Sequence, residues 1–119
     1  MNLLFDHNVN RRFRKYLPGH VIQTARERGW EKLANGALLQ AAANAGFEAL
    51  MSIDKKLEHE QNLSGLPLPI VLVDCVSNAL PALLPFVPPI LKLLSSPLDC
   101  ALYIAQSDGT IIRLTSPRS

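Results

Sequence analysis

Leu3-Leu4-Phe5-Asp6, Leu50-Met51-Ser52-Ile53-Asp54 and Ile70-Val71-Leu72-Val73-Asp74 are three short apolar runs, each halted by an aspartate. None is long enough to carry a helical period, and continuous apolar runs of this size suit strands covered on both faces. In a parallel α/β sheet the carboxyl ends of the strands share one edge, and ligands collect in the crevice there. Three carboxylates delivered to one rim suit a hard divalent cation such as Mg²⁺. Metal-dependent cleavage of a phosphodiester is the leading expectation.

Working outward from these runs, the chain alternates between strand and helix signals. Asn2 to Asp6 is strand one. Asn8 or Asn10 caps a helix through Leu17, with Val9, Phe13, Tyr16 and Leu17 on one face, and Pro18-Gly19 ends it. His20 to Thr24 is strand two, and Glu27 to Leu33 reads as a loop whose Trp30 plugs the domain edge. A helix starting at Asn35-Gly36 carries Leu38, Leu39, Ala42, Ala43 and Ala45 and stops at Gly46. Strand three is Glu48 to Ile53. A polar turn or short helix over Lys55 to Asn62 and a loop over Gly65 to Pro69 lead to strand four, Ile70 to Asp74. Two short helices, Asn78 to Leu84 and Pro89 to Leu94, precede strand five, Cys100 to Ala105. Asp108-Gly109 then turns the chain into an edge strand, Ile111 to Leu114. The alternation predicts an α/β fold, a three-layer sandwich with a mostly parallel central sheet and right-handed crossovers. One domain spans residues 1–114, and residues 115–119 form a loose tail.

Composition narrows the function classes. At 119 residues the chain can bury one substantial core, and 48% apolar with 18% charged residues describes a globule rather than a disordered segment. The net charge of +2 is compatible with nucleic acid and diagnostic of nothing. Residues 1–60 hold nine Lys/Arg and seven Asp/Glu, against three and three in residues 61–119. Cys75 and Cys100 lack any Cys-x-x-Cys or Cys/His spacing, which argues against zinc; they read as core thiols of a reduced, cytoplasmic chain without a signal peptide. The apolar tract Ala79 to Leu94 is broken by Pro81, Pro85, Pro88 and Pro89 and is shorter than the roughly 20 residues of a membrane span. No membrane partner is expected. His7, His20 and His59 have no evident acid/base companion, so a histidine-based nuclease is not expected either.

The segments LLFDHNV, GHVIQTARERGW, NGALLQAAANAGFEALMSIDKKLEHEQNL and IVLV…SNALPALLPFVPPIL, in this order from Asn2 to Tyr103, resemble the short PIN-like family of small bacterial proteins related to VapC-type toxin ribonucleases. The most specific pieces are the FDxN of strand one and the stretch after strand three. The resemblance implies a PIN-like sheet whose clustered acids hold Mg²⁺ or Mn²⁺ for hydrolysis of RNA. It matches Asp6 to the acid ending strand one and Asp54 to the acid ending a Thr-x-Asp strand, with Ser52 in the threonine position. Another family acid, at the start of the second helix, falls on Asn35 here, a neutral oxygen where a charge would help hold the metal. Asp74 has no counterpart in the family pattern and joins the metal candidates only through its place at a strand end.

Each candidate also has a plainer reading. Asp6 can tighten the strand-to-helix turn, Asp54 can sit in a solvated turn with Lys55 and Lys56, and Asp74 can cap the following helix. Asn8 either orients Asp6 or caps the first helix, and Asn35 either ligates metal or starts a helix. Arg11, Arg12, Arg14 and Lys15, together with Lys55, form the candidate phosphate-binding set; otherwise they are a solvated face. The leading function is a metal-dependent endoribonuclease, the toxin of a toxin–antitoxin pair, with RNA as substrate, a cognate antitoxin protein as partner and a homodimer as a possible assembly. The alternative, suggested by Asn35, is a catalytically weakened PIN-like module that binds RNA or protein. A receiver-like phosphoacceptor domain is a distant third, because strand one ends in one acid and no lysine ends strand five.

Overall fold

Strand alternation sends successive residues of the apolar runs to opposite faces of a single sheet. The structure, a computed structural model, describes residues 1–116. Six strands form the sheet: β1 (Asn2–Phe5), β2 (Val21–Thr24), β3 (Ala49–Ser52), β4 (Ile70–Val73), β5 (Leu102–Ala105) and β6 (Ile111–Leu114). Their order is β2-β1-β3-β4-β5-β6, with the first five parallel and β6 antiparallel to β5. Among the described residues the α-helices are α1 (Asn35–Asn44), α2 (Leu57–Glu60), α3 (Leu80–Leu83) and α4 (Val87–Leu93). None of them is long and apolar enough to cross a membrane.

Two cores lie on either side of the sheet. Leu3, Phe5, Met51, Val71 and Val73 pack with Phe13, Leu83, Phe86 and Ile90 on one face. Leu4, Leu50, Ile70, Leu72 and Ile104 pack with Leu38, Leu39, Ala42 and Leu57 on the other. This is the expected three-layer arrangement. The helical connections nevertheless break one expectation. β3→β4 and β4→β5 step in the same direction along the sheet, yet α2 packs on one face and α3–α4 on the other. Two such connections necessarily have opposite hands, so the crossovers are not uniformly right-handed. The handedness rule covers parallel strand–crossover–strand connections in one sheet, so one of these two is an exception to it. The β4→β5 connection is the long one, segmented by prolines.

Local chemistry explains most boundaries. Gly46 at φ +86° closes α1: its N–H bonds Ala43 O at 3.1 Å and Phe47 N–H bonds Ala42 O at 3.1 Å, the paired bonds of a Schellman stop. The first helix is tighter than expected, a 3-10 helix over Arg11–Tyr16 capped by Asn10, whose side chain accepts from Arg12 N. Asn8 is not its cap. Pro88 and Pro89 fall in the first turn of α4, where their missing N–H groups would be unpaired anyway. A 3-10 turn over Leu84–Phe86 links α3 directly to α4, so the expected pair of helices is one nearly continuous tract. Both cysteines are free; Cys75 is buried with its thiol pKa raised chiefly by that burial, but Cys100 is exposed and not a core thiol. Thr115 and Ser116 are exposed bends, and the remainder of the expected tail, residues 117–119, lies outside the described residues.

Candidate functional site

β1 and β3 are neighbours, and the chain leaves them toward opposite sides of the sheet: the 3-10 helix Arg11–Tyr16 and β2 on one side, α2 and β4 on the other. That reversal opens the crevice in which doubly wound folds bind ligands. Asp6 and Asp54 follow these two strands. Asp6 is 1% exposed, and its carboxylate is held from two directions. Oδ2 accepts from the buried Ser52 hydroxyl at 2.9 Å, and Oδ1 accepts from His7 N–H at 2.8 Å. His7 Nδ1 also lies 2.8 Å from the same Oδ1.

Ser52 Oγ also accepts from Asp54 N–H at 3.1 Å, joining the two strand ends through one hydroxyl. Asp54 Oδ1 accepts from Lys56 N–H at 3.0 Å, and Oδ2 accepts from Asn35 Nδ2 at 3.2 Å. Asn8 Oδ1 stands 3.5 Å from both Ser52 Oγ and Ile53 N. Asp6, Ser52, Asp54, Asn8 and Asn35 therefore form one connected polar cluster. The plain turn-and-cap readings are partly right, since both aspartates bond nearby backbone N–H groups, but those bonds leave lone pairs on every carboxylate oxygen.

Asp74 has another partner. Its Oδ1 pairs with Lys55 Nζ at 2.9 Å, in a small recess with Glu58 and His59 beyond β4. It does not cap the following helix, because Ala79 N–H bonds Ser77 Oγ instead. The structure gives Asp74 no contact with Asp6 or Asp54 among the bonds of the described residues.

On the other side of Asp6 an open cleft of about 630 Å³ extends toward β2. Asp6, Asn10, Arg11, Thr24, Arg26 and Asn78 are among its walls, and Asn10 Nδ2 bonds Asn78 O at 3.2 Å across it. Of the basic cluster only Arg11 lines this cleft. Arg14 is committed to Glu27 at 2.8 Å, while Arg12 and Lys15 are exposed elsewhere on the 3-10 helix. Glu27 is held further: it accepts from Thr24 N–H at 2.9 Å while its own N–H donates to Thr24 Oγ1 at 3.1 Å. These reciprocal bonds are a capping box. They wind residues 25–29 into a helical turn ended by Gly29 at φ +75°. The Arg14 guanidinium, followed by the Thr24 N–H, lowers the Glu27 pKa.

The donors are uniformly oxygen: two carboxylates, two amides and a hydroxyl. That set suits a hard cation such as Mg²⁺, which binds through one or two carboxylates and keeps several waters. No group of three or more His, Cys, Asp or Glu side chains converges on a metal position among the described residues. Any cation here would rest on Asp6 and Asp54 with neutral oxygens beside them.

Sequence reasoning missed three features. His7 does have an acidic companion, its own neighbour Asp6, which a search for separated pairs overlooks. The Thr24-x-x-Glu27 signature of a capping box stood in the segment read as a plain loop. Arg26 was passed over because a single helical turn gives no periodicity. His20 lies at the amino end of β2, away from the site; its Nδ1 is buried without a hydrogen-bond partner, and burial is the first cause of its lowered pKa. Compared with family models, curated proteins and solved structures, the chain matches none.

Proposed function

We propose that this chain is a PIN-like, divalent-metal-dependent endoribonuclease that works with two carboxylates rather than three. The observation that carries the reading is the Ser52 hydroxyl joined to both Asp6 and Asp54 at the strand-order reversal. Asp6 and Asp54 would hold Mg²⁺ or Mn²⁺, with the Asn8 amide oxygen beside them. A bound cation supplies charge stabilisation at the phosphate and an acidified attacking water. Ser52 fixes the Asp6 carboxylate, and Asn35 fixes Asp54. Turnover is expected to be slow, since an amide stands where a third charge would tighten the cation. The toxin role and a cognate antitoxin rest on the sequence resemblance, and a cytoplasmic setting on the cysteine usage of the sequence.

One observation favours the second reading, a binding module with weakened catalysis. Asn35 presents its N–H₂, not its oxygen, to Asp54. An amide turned this way supports the carboxylate without joining the donor set. Incubating the purified chain with single-stranded RNA separates the two readings. The nuclease reading expects cleavage with Mg²⁺ or Mn²⁺ that chelation abolishes and Asp6→Asn removes. Cleavage unaffected by Asp6→Asn, or RNA binding without cleavage, favours the module.

A further inference from the structure

The cleft beside Asp6 has walls from two separate elements, the 3-10 helix Arg11–Tyr16 and the turn after β2. Each contributes one arginine, Arg11 and Arg26. Both are exposed, and neither has an ion pair or side-chain hydrogen bond among the described residues. The other nearby basic group, Arg14, is neutralised by Glu27, and that ion pair ties the two walls together. The capping box then fixes the turn that bears Arg26. Two unpaired guanidinium groups thus face an open channel that ends at the candidate reaction centre.

We infer that this cleft is the groove for the RNA backbone, with Arg11 and Arg26 gripping phosphates on the β2 side of the scissile bond. The inference rests on the nuclease reading for its choice of RNA. Guanidinium groups suit this task because their forked donors match phosphate oxygens. Asn10, Thr24 and Asn78 add neutral polar groups able to bond sugar and phosphate oxygens. The cleft walls include no Phe, Tyr or Trp ring, and the His7 imidazole beside Asp6 is the one ring there on which a base could stack. Two guanidinium groups with neutral polar neighbours make recognition here chiefly of the backbone, and phosphate contacts carry no sequence information. Arg14 is a positioning residue: it holds the Arg26 wall against the Arg11 wall without touching the strand. The basic cluster of the 3-10 helix is not one uniform surface, and Arg12 lies outside the groove.

The test is equilibrium binding of a fluorescent, 2′-O-methylated oligouridylate of about eight nucleotides, in chelator, so that cleavage cannot intervene. Arg11→Gln and Arg26→Gln should each weaken binding severalfold and flatten the log-affinity against log-salt slope by about 0.7. Arg12→Gln should change the slope far less, and an oligoadenylate should bind as the oligouridylate does. Thermal melts establish that the exposed-site variants remain folded. Equal losses from Arg12→Gln and Arg26→Gln would overturn the groove in favour of a diffuse basic surface. Wild-type affinity in Arg26→Gln, or no binding by the wild type, would overturn it outright. If the expected losses appear while the active-metal assay finds no cleavage, the groove stands and the nuclease reading falls.

Discussion

Ser52 is the residue on which the site depends most. It is fully buried, donates to Asp6 and accepts from Asp54 N–H. Ser52→Ala leaves a buried carboxylate one donor short, and an unsatisfied buried group costs about 1–3 kcal/mol. Urea unfolding should register that loss, and a variant as stable as wild type would mean that Asp6 is satisfied without the hydroxyl. Position 35 gives a second expectation. Its amide is 3.2 Å from Asp54 Oδ2, so Asn35→Asp sets two carboxylates against each other. The metal-free variant should melt at a lower temperature than wild type, because like charges in contact disfavour the ionised pair. Added Mg²⁺ should raise its melting temperature more than it raises that of wild type. An Asn35→Asp protein indifferent to Mg²⁺ would remove position 35 from the site.

At the scale of elements, the turn after β2 behaves as a small clamp between the sheet and the 3-10 helix. Glu27 serves both Thr24 N–H and Arg14, and its carboxyl pKa lies below the ordinary glutamate value. The charged form therefore favours the folded state. Its contribution is complete above the ordinary pKa and is lost as pH falls through the lower folded value. Amide exchange in residues 24–29 should speed up at acid pH relative to the core strands, and Glu27→Gln should show that faster exchange already at neutral pH. Equal protection in Glu27→Gln at neutral pH would rule out the clamp. The strands were legible because alternating burial on a two-faced sheet leaves a continuous apolar run, and Gly46 and Asp108-Gly109 mark their turns through positive φ at each glycine. The clamp was not legible in the same way. Its signature spans four residues and has no hydrophobic period to advertise a helix.

For the whole molecule, the sequence carried the α/β class and the placement of Asp6 and Asp54 at one sheet edge. It placed strands one, three and four parallel at the centre and the last strand at an edge, as the sheet has them. It did not carry the opposed hands of the β3→β4 and β4→β5 connections, which follow from long-range packing of α2 and α3–α4 on different faces. Nor could three similar runs reveal that their aspartates part company: Ser52 gathers Asp6 and Asp54, whereas Lys55 takes Asp74. That division is the basis for the most direct measurement, a Mn²⁺ titration of the RNA-free chain followed by electron paramagnetic resonance. Saturable binding is expected in wild type, weakened about tenfold or more by Asp6→Asn and by Asp54→Asn, since each loses an anionic ligand to a hard cation. Asp74→Asn should bind as wild type does. Wild-type Mn²⁺ affinity in both Asp6→Asn and Asp54→Asn, or no saturable binding at all, would contradict a cation site built on these two carboxylates.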